Sequence, residues 1–407
     1  MTRLTKVATL AASILQQMPR TGKWQRQFLL HLFVLWLSIR GRHNFANLAR
    51  YGSYGEGAYR NNFAKTFDWL SFNRRLCQQA LSADVALAFD PSYLAKSGKH
   101  TEGVAKYWSG CAGQVKHGLE ISGIAAIDLE TSTALHLVAF QTLERAAEQT
   151  LLDYYAEGII QHEEELKKIS KHIIADAYFS KAPFVQKLTK AGFELVSRLR
   201  TDARLRYLYT GPTKEGKGRP RQYDGFVEAR QLRMDIFSEC GRDEQGKWIA
   251  YTAVVNIPSW KREARVVVIH QLENTTGKVI SHRIFVSTDT ELSGERVLVI
   301  YPSRFQQEFL YRDAKQELGL EHCQAYSAAK IDFHVNAALS IGSLAKVAHH
   351  LNYQDHVDKP FSIADVKTEY VNEHQALRIL SMCNIDVNLP IIRKLMPKFR
   401  NYGKRRA

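Results

Sequence analysis

Residues 301–315 read Tyr301-Pro-Ser-Arg304-Phe-Gln-Gln-Glu308-Phe-Leu-Tyr311-Arg-Asp-Ala-Lys315. From Arg304 onward the stretch is predicted to be helical, because its only proline stands at the start and helix-tolerant residues follow. Four of its residues are spaced by four, three and four positions and therefore share one helix face: Arg304, Glu308, Tyr311 and Lys315. A carboxylate between two cations suits a site for a metal and a phosphate. It equally suits a solvated stripe of ion pairs, since Arg304 and Glu308 are an i,i+4 pair.

Two aspartates follow short apolar runs that are predicted to be buried strands. Residues 85–89 are followed by Asp90 and Pro91, and residues 173–175 are followed by Asp176. An aspartate at the carboxyl end of such a strand faces a crevice, although it can also be an ordinary turn residue. Together with Glu308, the two aspartates make three oxygen ligands of the kind that suits Mg²⁺ or Mn²⁺. Two such ions, about 3.5–4 Å apart, clamp the attacking and leaving oxygens of a phosphoryl displacement.

The pattern Tyr-x2-Arg-x3-Glu-x6-Lys is matched by Tyr301, Arg304, Glu308 and Lys315. It resembles the signature of the DDE transposases of bacterial insertion sequences, in the family-four, cut-and-paste group. In that family the first aspartate opens a stretch like Asp90-Pro-Ser-Tyr, and the second lies in a stretch like Ile174-Ala-Asp-Ala-Tyr-Phe. The resemblance covers about residues 35–345.

The resemblance implies an α/β fold with a ribonuclease-H-like catalytic core, interrupted by a β-rich insertion and flanked by helical regions. It implies two Mg²⁺ ions, replaceable by Mn²⁺, on three catalytic ligands: Asp90, Asp176 and Glu308. It also implies that three residues hold the DNA strand near the cleaved phosphate: Tyr301, Arg304 and Lys315. The implied enzyme binds the terminal inverted repeats of an element as double-stranded DNA, cleaves at their ends and joins the 3′-OH ends to target DNA.

The implied assembly is a homodimer in a synaptic complex with both ends bound, and no small-molecule substrate is expected. Two alternatives remain open at this point. One is a ribonuclease-H-like nuclease or resolvase that cuts without strand transfer. The other is a non-catalytic DNA-binding descendant of a transposase, which the intact set of three carboxylates argues against.

The chain is strongly basic and has few cysteines. Its 407 residues include 56 Lys and Arg against 41 Asp and Glu, a formal net charge of +15. This excess favours a polyanionic partner, with nucleic acid ahead of membrane. The longest apolar stretch, residues 28–39, is too short to span a bilayer, and no signal peptide is predicted. Five scattered cysteines argue against a disulfide framework and a zinc site, and indicate a reducing bacterial cytoplasm, near the nucleoid.

Residues 1–80 are predicted to form a helical DNA-binding region. Apolar residues at helical spacing mark helices over 10–17, 24–39 and 45–51, with basic turns between them. Short helices of this kind suit a helix-turn-helix-like reader or a plain helical cap on the catalytic core. The resemblance favours the reader, and the contacts predicted for it are Arg40, Arg42, Arg50, Arg60 and Lys65.

Residues 81–200 are predicted to be the first part of the catalytic core, and residues 291–350 the second part, which carries the signature helix. Strands are predicted over 119–128 and 133–140, and helices over 145–170 and 181–191. A polar basic loop is predicted over 96–116, where Lys99 is a candidate contact for a DNA backbone. A solvated loop without a function is the alternative.

A β-rich insertion domain is predicted over 201–290, because Asp176 and Glu308 are 132 positions apart (308 − 176), too far for a short link. Its strands are expected over 248–257, 264–272 and 279–287. Its Gly-Arg-Pro-Arg sequence resembles a minor-groove AT-hook, although such loops are also common between strands. The contacts predicted there are Lys217, Arg219 and Arg221. Residues 351–407 are predicted to be a helical C-terminal region with a basic tail.

Hairpin-forming relatives carry a tryptophan that stacks on a flipped base in the insertion. Trp248 and Trp260 lie far upstream of the signature, and a core role is favoured for both. Phe305, directly after Arg304, is the preferred candidate for an aromatic side chain at the site.

Overall fold

The structure is a computed structural model that describes residues 3–110, 112–212, 220–273, 276–351 and 360–404. Within these residues the α-helices are α1 (Arg3–Gln16), α2 (Lys23–Ser38), α3 (Phe45–Tyr51), α4 (Glu56–Phe63), α5 (Trp69–Cys77), α6 (Leu151–Ile160), α7 (Glu163–Leu166), α8 (Ala182–Lys190), α9 (Gly294–Ser303), α10 (Phe305–Glu317), α11 (Ala328–His350), α12 (Ile363–Met382) and α13 (Pro390–Arg400). The strands are β1 (Val85–Leu94), β2 (Ala105–Ser109), β3 (Gln114–Asp128), β4 (Thr133–Gln141), β5 (His172–Ile174), β6 (Glu194–Leu199), β7 (Arg206–Leu208), β8 (Tyr223–Phe226), β9 (Ser238–Arg242), β10 (Trp248–Ile257), β11 (Arg262–Leu272) and β12 (Val279–Ser287).

These strands form one mixed sheet, ordered β2-β3-β1-β5-β6-β12-β11-β10-β7-β8, with β4 beside β3 and β9 beside β10. Strand β1 is antiparallel to β3 and parallel to β5, and β5 is parallel to β6. Strand β12 returns antiparallel to β6. The β-rich stretch between Asp176 and Glu308 is therefore hydrogen-bonded, through β12, onto β6, the strand next to β5.

Strand β1 extends further than predicted, because Asp90 and Pro91 lie inside it and the strand ends at Leu94. The prediction that Asp90 closes the strand is wrong. Strand β5 pairs only with Leu87 and Ala88 of β1, so the β5 side of β1 is open beyond them. An open side accepts proline, because no ladder bond there needs its missing N–H.

Two further predictions need correction. The loop predicted over 96–116 contains β2 and the start of β3, which pair as an antiparallel ribbon. The helix predicted over 145–170 is two shorter helices, α6 and α7. Thr150 and Asp153 form a capping box that starts α6 after residue 150. The strands predicted over 248–257 and 279–287 and the helix over 45–51 are confirmed at both ends.

Helix α11 is the central helix of the molecule and is hydrogen-bonded to the edge strand β4. The Asn336 side chain accepts from the Ala139 N–H at 2.8 Å and donates to the Ala139 carbonyl at 2.9 Å. The Ser343 hydroxyl accepts from the His136 N–H at 2.8 Å, and Asn73 of α5 donates to the Leu137 carbonyl at 2.9 Å. Side chains thus occupy the unpaired edge of β4, which would otherwise be open to another strand.

The N-terminal helices share one hydrophobic core with the sheet and with α11 and α12. Trp36 of α2 is fully buried, and its indole N–H donates to the carbonyl of Leu318, just after α10, at 2.9 Å. The helical cap predicted as one alternative for residues 1–80 is therefore present. No helix of the described ranges is long and apolar enough to cross a membrane.

Two buried histidines are expected to destabilise the protein in mild acid. Burial lowers the pKa of His136 and of His334 from 6.5 to about 4. The unfolded chain takes up both protons near pH 6.5, whereas the folded chain does so only near pH 4. The free energy of unfolding therefore falls as the pH drops through this window, by up to about 1.4 kcal/mol per pH unit for each histidine.

Urea unfolding at several pH values between about 4 and 7 measures this slope. His136→Gln is expected to flatten it, and the same substitution at the exposed His100 serves as the control. A slope that is identical in the native protein and in His136→Gln would show that burial of this ring is not linked to acid sensitivity.

Candidate active site

Arg304 lies at the junction of α9 and α10 and contacts two of the predicted carboxylates. One guanidinium nitrogen, Nη2, is 2.9 Å from Glu308 Oε1, and the other, Nη1, is 3.9 Å from Asp90 Oδ1. The Arg304 side chain is only 12% exposed, whereas that of Glu308 is 44% exposed. The predicted pairing of Arg304 with Glu308 on one face is confirmed, and Asp90 of β1 lies against the same face.

Helix α10 is fixed across β1 and β3 by two side chains that bond to the backbone. The Tyr311 hydroxyl donates to the Asp90 carbonyl at 2.6 Å, and the Gln307 amide donates to the Gly123 carbonyl at 2.7 Å. Asp90 and Gly123 are direct partners in the β1–β3 ladder. The position of Glu308 relative to Asp90 is therefore set by the sheet and not by a flexible loop.

Gly123→Ala is expected to disturb this contact between helix and sheet. A Cβ at position 123 would lie 2.3 Å from the Tyr311 hydroxyl oxygen and 3.2 Å from Cζ of the same ring. Because both groups are buried, the expected loss of stability is about 1–3 kcal/mol. Tyr311→Phe removes the clashing oxygen, so the double variant should lose less than the sum of the two single variants.

Thermal or urea unfolding of the three variants measures this coupling. Gly57→Ala is the matched control, because no atom lies within 4 Å of its added Cβ. Strict additivity of Gly123→Ala and Tyr311→Phe would contradict the predicted clash.

Asp176 follows β5 and caps a short 3₁₀ turn, Ala177–Phe179. Its carboxylate accepts the Tyr178 N–H at 2.8 Å, and its carbonyl accepts from the Ser197 hydroxyl at 2.9 Å. Since β5 lies between β1 and β6, the end of β5 is adjacent to the middle of β1. The location predicted for Asp176, just after a buried strand, is confirmed.

The electrostatics of Asp90 show that the predicted residues surround it. Burial raises the pKa of its carboxyl to about 7; Arg304 and Lys315 act to lower that pKa, and Asp176 and Glu308 act to raise it. Three carboxylates therefore repel one another around a partly buried position. Tyr301 belongs to the same group, because Arg304 and Asp176 both influence its pKa, which burial raises. Its ring packs 4.8 Å from that of Phe285.

The donor set fits a hard divalent cation, since it consists of carboxylate oxygens whose mutual repulsion such a cation would relieve. The residues that could hold it are Asp90, Asp176 and Glu308. Within the described ranges, no three His, Cys, Asp or Glu side chains are close enough to form a ready-made metal cluster. The Arg304 guanidinium provides the positive charge between Asp90 and Glu308 in this arrangement.

The other residues predicted near the cleaved phosphate lie around this centre. The Lys315 ammonium donates to the Tyr93 carbonyl at 2.8 Å, further along β1 from Asp90. Phe305 is 51% exposed, and the Arg304 guanidinium lies 5.2 Å from its ring centre. Trp260 is buried and donates to the Ser180 carbonyl, so its predicted core role is confirmed. Trp248 is half-buried.

The remaining predicted DNA contacts are scattered over the surface. The exposed ones are Arg40, Arg42, Arg50, Lys65, Lys99 and Arg221. Arg60 is half-buried and forms an ion pair with Glu56, and Arg221 pairs with Asp224. Lys217 and Arg219 lie outside the described residues. Of those that the structure describes, none forms an ion pair with any of the three carboxylates.

Arg198 of β6 is a site residue that was not predicted. It acts to lower the pKa of Tyr301, and it lines a shallow cleft next to Asp176 together with Ala177 and Arg200. The available signal was a lone cation within the apolar strand Glu194–Leu199, one strand beyond Asp176. That signal is informative only once β5 and β6 are known to be parallel neighbours.

Comparison with known proteins gives a match to a sequence family and weak structural likenesses, of which two are described here. The sequence profile of the transposase DDE domain family matches residues 86–341. No curated protein matches the chain. The piggyBac transposase synaptic complex with hairpin DNA is similar at a TM-score of 0.40 and 12% identity, over 97% of this chain and 82% of that chain. Endonuclease V from Ciona intestinalis, in complex with a 23mer DNA containing an inosine, gives a TM-score of 0.27 and 12% identity, over 61% and 96% of the two chains.

Both TM-scores are low, so the assignment depends on the sequence match. That match covers more than half of the chain and includes the positions of all three carboxylates. The chain belongs to the transposase DDE domain family.

Proposed function

We propose that the chain is a DNA transposase that binds the terminal inverted repeats of its element, cleaves DNA at their ends and joins the 3′-OH ends to target DNA. The observation that supports this proposal, in a member of this family, is that Arg304 contacts both Asp90 and Glu308, while the carboxyl of Asp90 also interacts with that of Asp176. The group of bacterial insertion sequences with the Tyr-Arg-Glu-Lys signature is the proposed subfamily.

The strand order supports a ribonuclease-H-like core. Strands β4-β3-β1-β5-β6 are adjacent in that order, with β1, β5 and β6 parallel and β3 antiparallel to both of its neighbours. The carboxylates lie on the central strand, after its parallel neighbour and on the helix that crosses them. In this proposal the core is 81–200 and 291–350, the β-rich insertion is 201–290, and the helical regions are 1–80 and 351–407.

Two Mg²⁺ or Mn²⁺ ions on the three carboxylates would supply Lewis-acid activation of water and of the 3′-OH, and would stabilise the leaving oxygen. The protein residues position the strand. Arg304 neutralises carboxylates in the present structure and is the cation best placed to bind the phosphate once their charge is compensated. Lys315, whose ammonium donates to the Tyr93 carbonyl of β1, and Arg198 of β6 would hold neighbouring phosphates.

Two aromatic side chains would position the DNA strand: Tyr301, which is half-buried, and Phe305, which is exposed. Tyr301 is packed on Phe285 and is close to Arg304, so its hydroxyl is held where it can donate a hydrogen bond to a phosphate oxygen. The exposed aromatic ring of Phe305 is the surface available for an unstacked base beside the site. The formal charge of +15 favours double-stranded DNA as the partner. A homodimer acting at the nucleoid in the bacterial cytoplasm completes the proposal.

The test is a cleavage and joining assay with the native protein and duplexes that carry the genomic flanks of its gene. We expect cleavage with Mg²⁺ or Mn²⁺, none with EDTA, and a slower-migrating product when a supercoiled target plasmid is added. Cleavage without joined product would favour the nuclease or resolvase. Tight binding without cleavage under any metal condition would leave a non-catalytic DNA-binding protein.

A further inference from the structure

The ribbon formed by β2 and β3 presents an exposed aromatic side chain that no part of the proposed catalysis uses. Trp108 is 62% exposed, and Val115, directly opposite on β3, is 56% exposed. Strand β2 pairs only with β3, so this part of the sheet projects as a two-stranded ribbon. A large indole left in solvent on a projecting ribbon is costly unless a partner covers it.

The ribbon is anchored firmly to the core at its base. The Tyr107 hydroxyl lies 3.0 Å and 3.1 Å from the carbonyl oxygens of Gly103 and Thr142. The Gln141 side chain donates to the Glu102 carbonyl at 2.6 Å, and the Glu102 N–H donates to the Tyr326 carbonyl at 2.9 Å. Trp108 therefore has a defined position relative to the catalytic strands.

The indole side of the ribbon is the same side of the sheet as the catalytic carboxylates. Directly opposite residues share a face, and faces alternate along a strand. Trp108 pairs with Val115 of β3, and Asp90 pairs with Gly123 of β3. Positions 115 and 123 of β3 are an even number of residues apart, and neither of these two ladders has a register shift. The side chains of Trp108 and Asp90 therefore point to the same face of the sheet. Helix α10 with Glu308 covers that face at Gly123.

Basic side chains connect the two ends of this face. Lys106 and His117 are opposite each other and exposed on the indole side of the ribbon. A groove of about 690 Å³ beside His117 and Tyr93 is lined by Lys96, Arg42 and His322, with Glu321 as its one acidic residue in the described ranges. The Tyr93 carbonyl accepts from the Lys315 ammonium. Between Glu102 and Glu120 the sequence contains no acidic residue. This charge pattern complements a phosphate backbone.

We propose that the β2–β3 ribbon is a second DNA-contact element, in which Lys106 and His117 bind phosphates and Trp108 packs against bases of the duplex. The proposal rests on the proposed function, because it takes DNA at the carboxylates as its reference point. A two-stranded ribbon fits the major groove, and apolar side chains also wedge between base steps from the minor groove.

The length of β3 between Val115 and Gly123 predicts where on the DNA Trp108 makes its contact. Val115 is eight residues from Gly123 along β3 (123 − 115), about 26 Å at ~3.3 Å per residue. At ~3.4 Å per base step, Trp108 contacts the duplex about eight base pairs from the cleaved phosphate. The indole is too far from the carboxylates to stack on a base flipped out at the cleavage point.

The experiment compares Trp108→Ala and Lys106→Gln with the native protein, using fluorescently labelled duplexes of the genomic flank and of an unrelated sequence. Trp108→Ala is expected to weaken binding about 5- to 150-fold. Lys106→Gln is expected to reduce the slope of log affinity against log salt by about one. Hydroxyl-radical footprinting should lose protection about eight base pairs from the cleavage point in both ribbon variants and keep it in the control variant. Met382→Ala is the control, because Met382 is 78% exposed at the end of α12, a helix to which no DNA contact is assigned.

The comparison of the variants on the two duplexes separates the possible results. Weakening on the flank duplex alone supports an element-end contact, and weakening on both duplexes supports contact with any DNA. Native affinity in Trp108→Ala, with cleavage intact, overturns the ribbon proposal and leaves the proposed function standing. A change in protomer number without DNA, measured by light scattering, overturns it in favour of a protein interface. Failure of the native protein to bind either duplex overturns both proposals.

Discussion

Glu308→Ala is expected to reduce DNA cleavage at least about 1,000-fold, equivalent to about 4 kcal/mol of transition-state stabilisation. Glu308 is one of the three proposed metal ligands, and without it a hard divalent cation would keep only two of the proposed carboxylates. Folding should be almost unaffected. The Glu308 side chain is 44% exposed, and its pair with Arg304 is an i,i+4 pair of the kind that contributes a few tenths of a kcal/mol.

DNA binding should persist in Glu308→Ala, because the partly buried Arg304 then has one carboxylate neighbour fewer. Its guanidinium is then more available to a phosphate, so affinity for uncleaved DNA is expected to stay equal or rise slightly. Cleavage rate and binding affinity measured on one labelled duplex would show the separation directly.

Asp313→Ala is the matched control for this prediction. Asp313 is on the same helix, five residues on and therefore about 140° around the axis, where it pairs with Arg312. The Asp313→Ala variant should cleave DNA at the native rate. Equal loss in Glu308→Ala and Asp313→Ala would mean that the helix tolerates no loss of charge, and the assignment of Glu308 as a ligand would fail.

Trp36→Ala is expected to cost about 3–5 kcal/mol of folding stability, the largest effect of any single change described here. The indole is fully buried between α2 and α11, 5.1 Å from the rings of both His43 and His334. Its N–H satisfies the Leu318 carbonyl at the end of α10, so truncation creates a cavity and leaves a buried acceptor unpaired.

Urea unfolding measures this loss, with Trp24→Ala as the control on the same helix. Because Trp24 is 79% exposed, that substitution should change stability by less than about 0.5 kcal/mol. A small loss in Trp36→Ala would indicate that residues 1–80 fold independently of the catalytic core. A large loss would indicate that these helices and the end of α10 unfold together.

Local patterns predicted the elements well where the determining interactions are local. The strand over 248–257 is rich in β-branched and aromatic residues and ends before Pro258. The helix over 45–51 is capped by Asn44 and followed by Gly52, so the sequence marks the limits of both elements. The pair of Arg304 and Glu308 depends only on spacing within one turn. These features need no knowledge of the rest of the chain.

Features that depend on distant partners could not be predicted in the same way. Pro91 signals the end of a strand, and only the shortness of β5 explains why β1 continues through it. Residues 105–118 look like a polar loop until Trp108 is seen to pair with Val115. The convergence of Asp90, Asp176 and Glu308 requires the neighbouring positions of β1 and β5, which spacing along the chain does not contain. The family resemblance supplied that grouping.

The pairing of β6 with β12 has a consequence for how the chain acquired its length. The chain leaves the core strands at Leu199 and returns at Ile284, and these two residues are direct partners. Residues 200–283 therefore begin and end at two neighbouring positions of the sheet, like the turn of a β-hairpin but much longer. The entropic cost of closing a loop rises only slowly with its length, so such a turn can gain or lose dozens of residues at small cost. The β-rich stretch can therefore change in length while β6 and β12 stay paired.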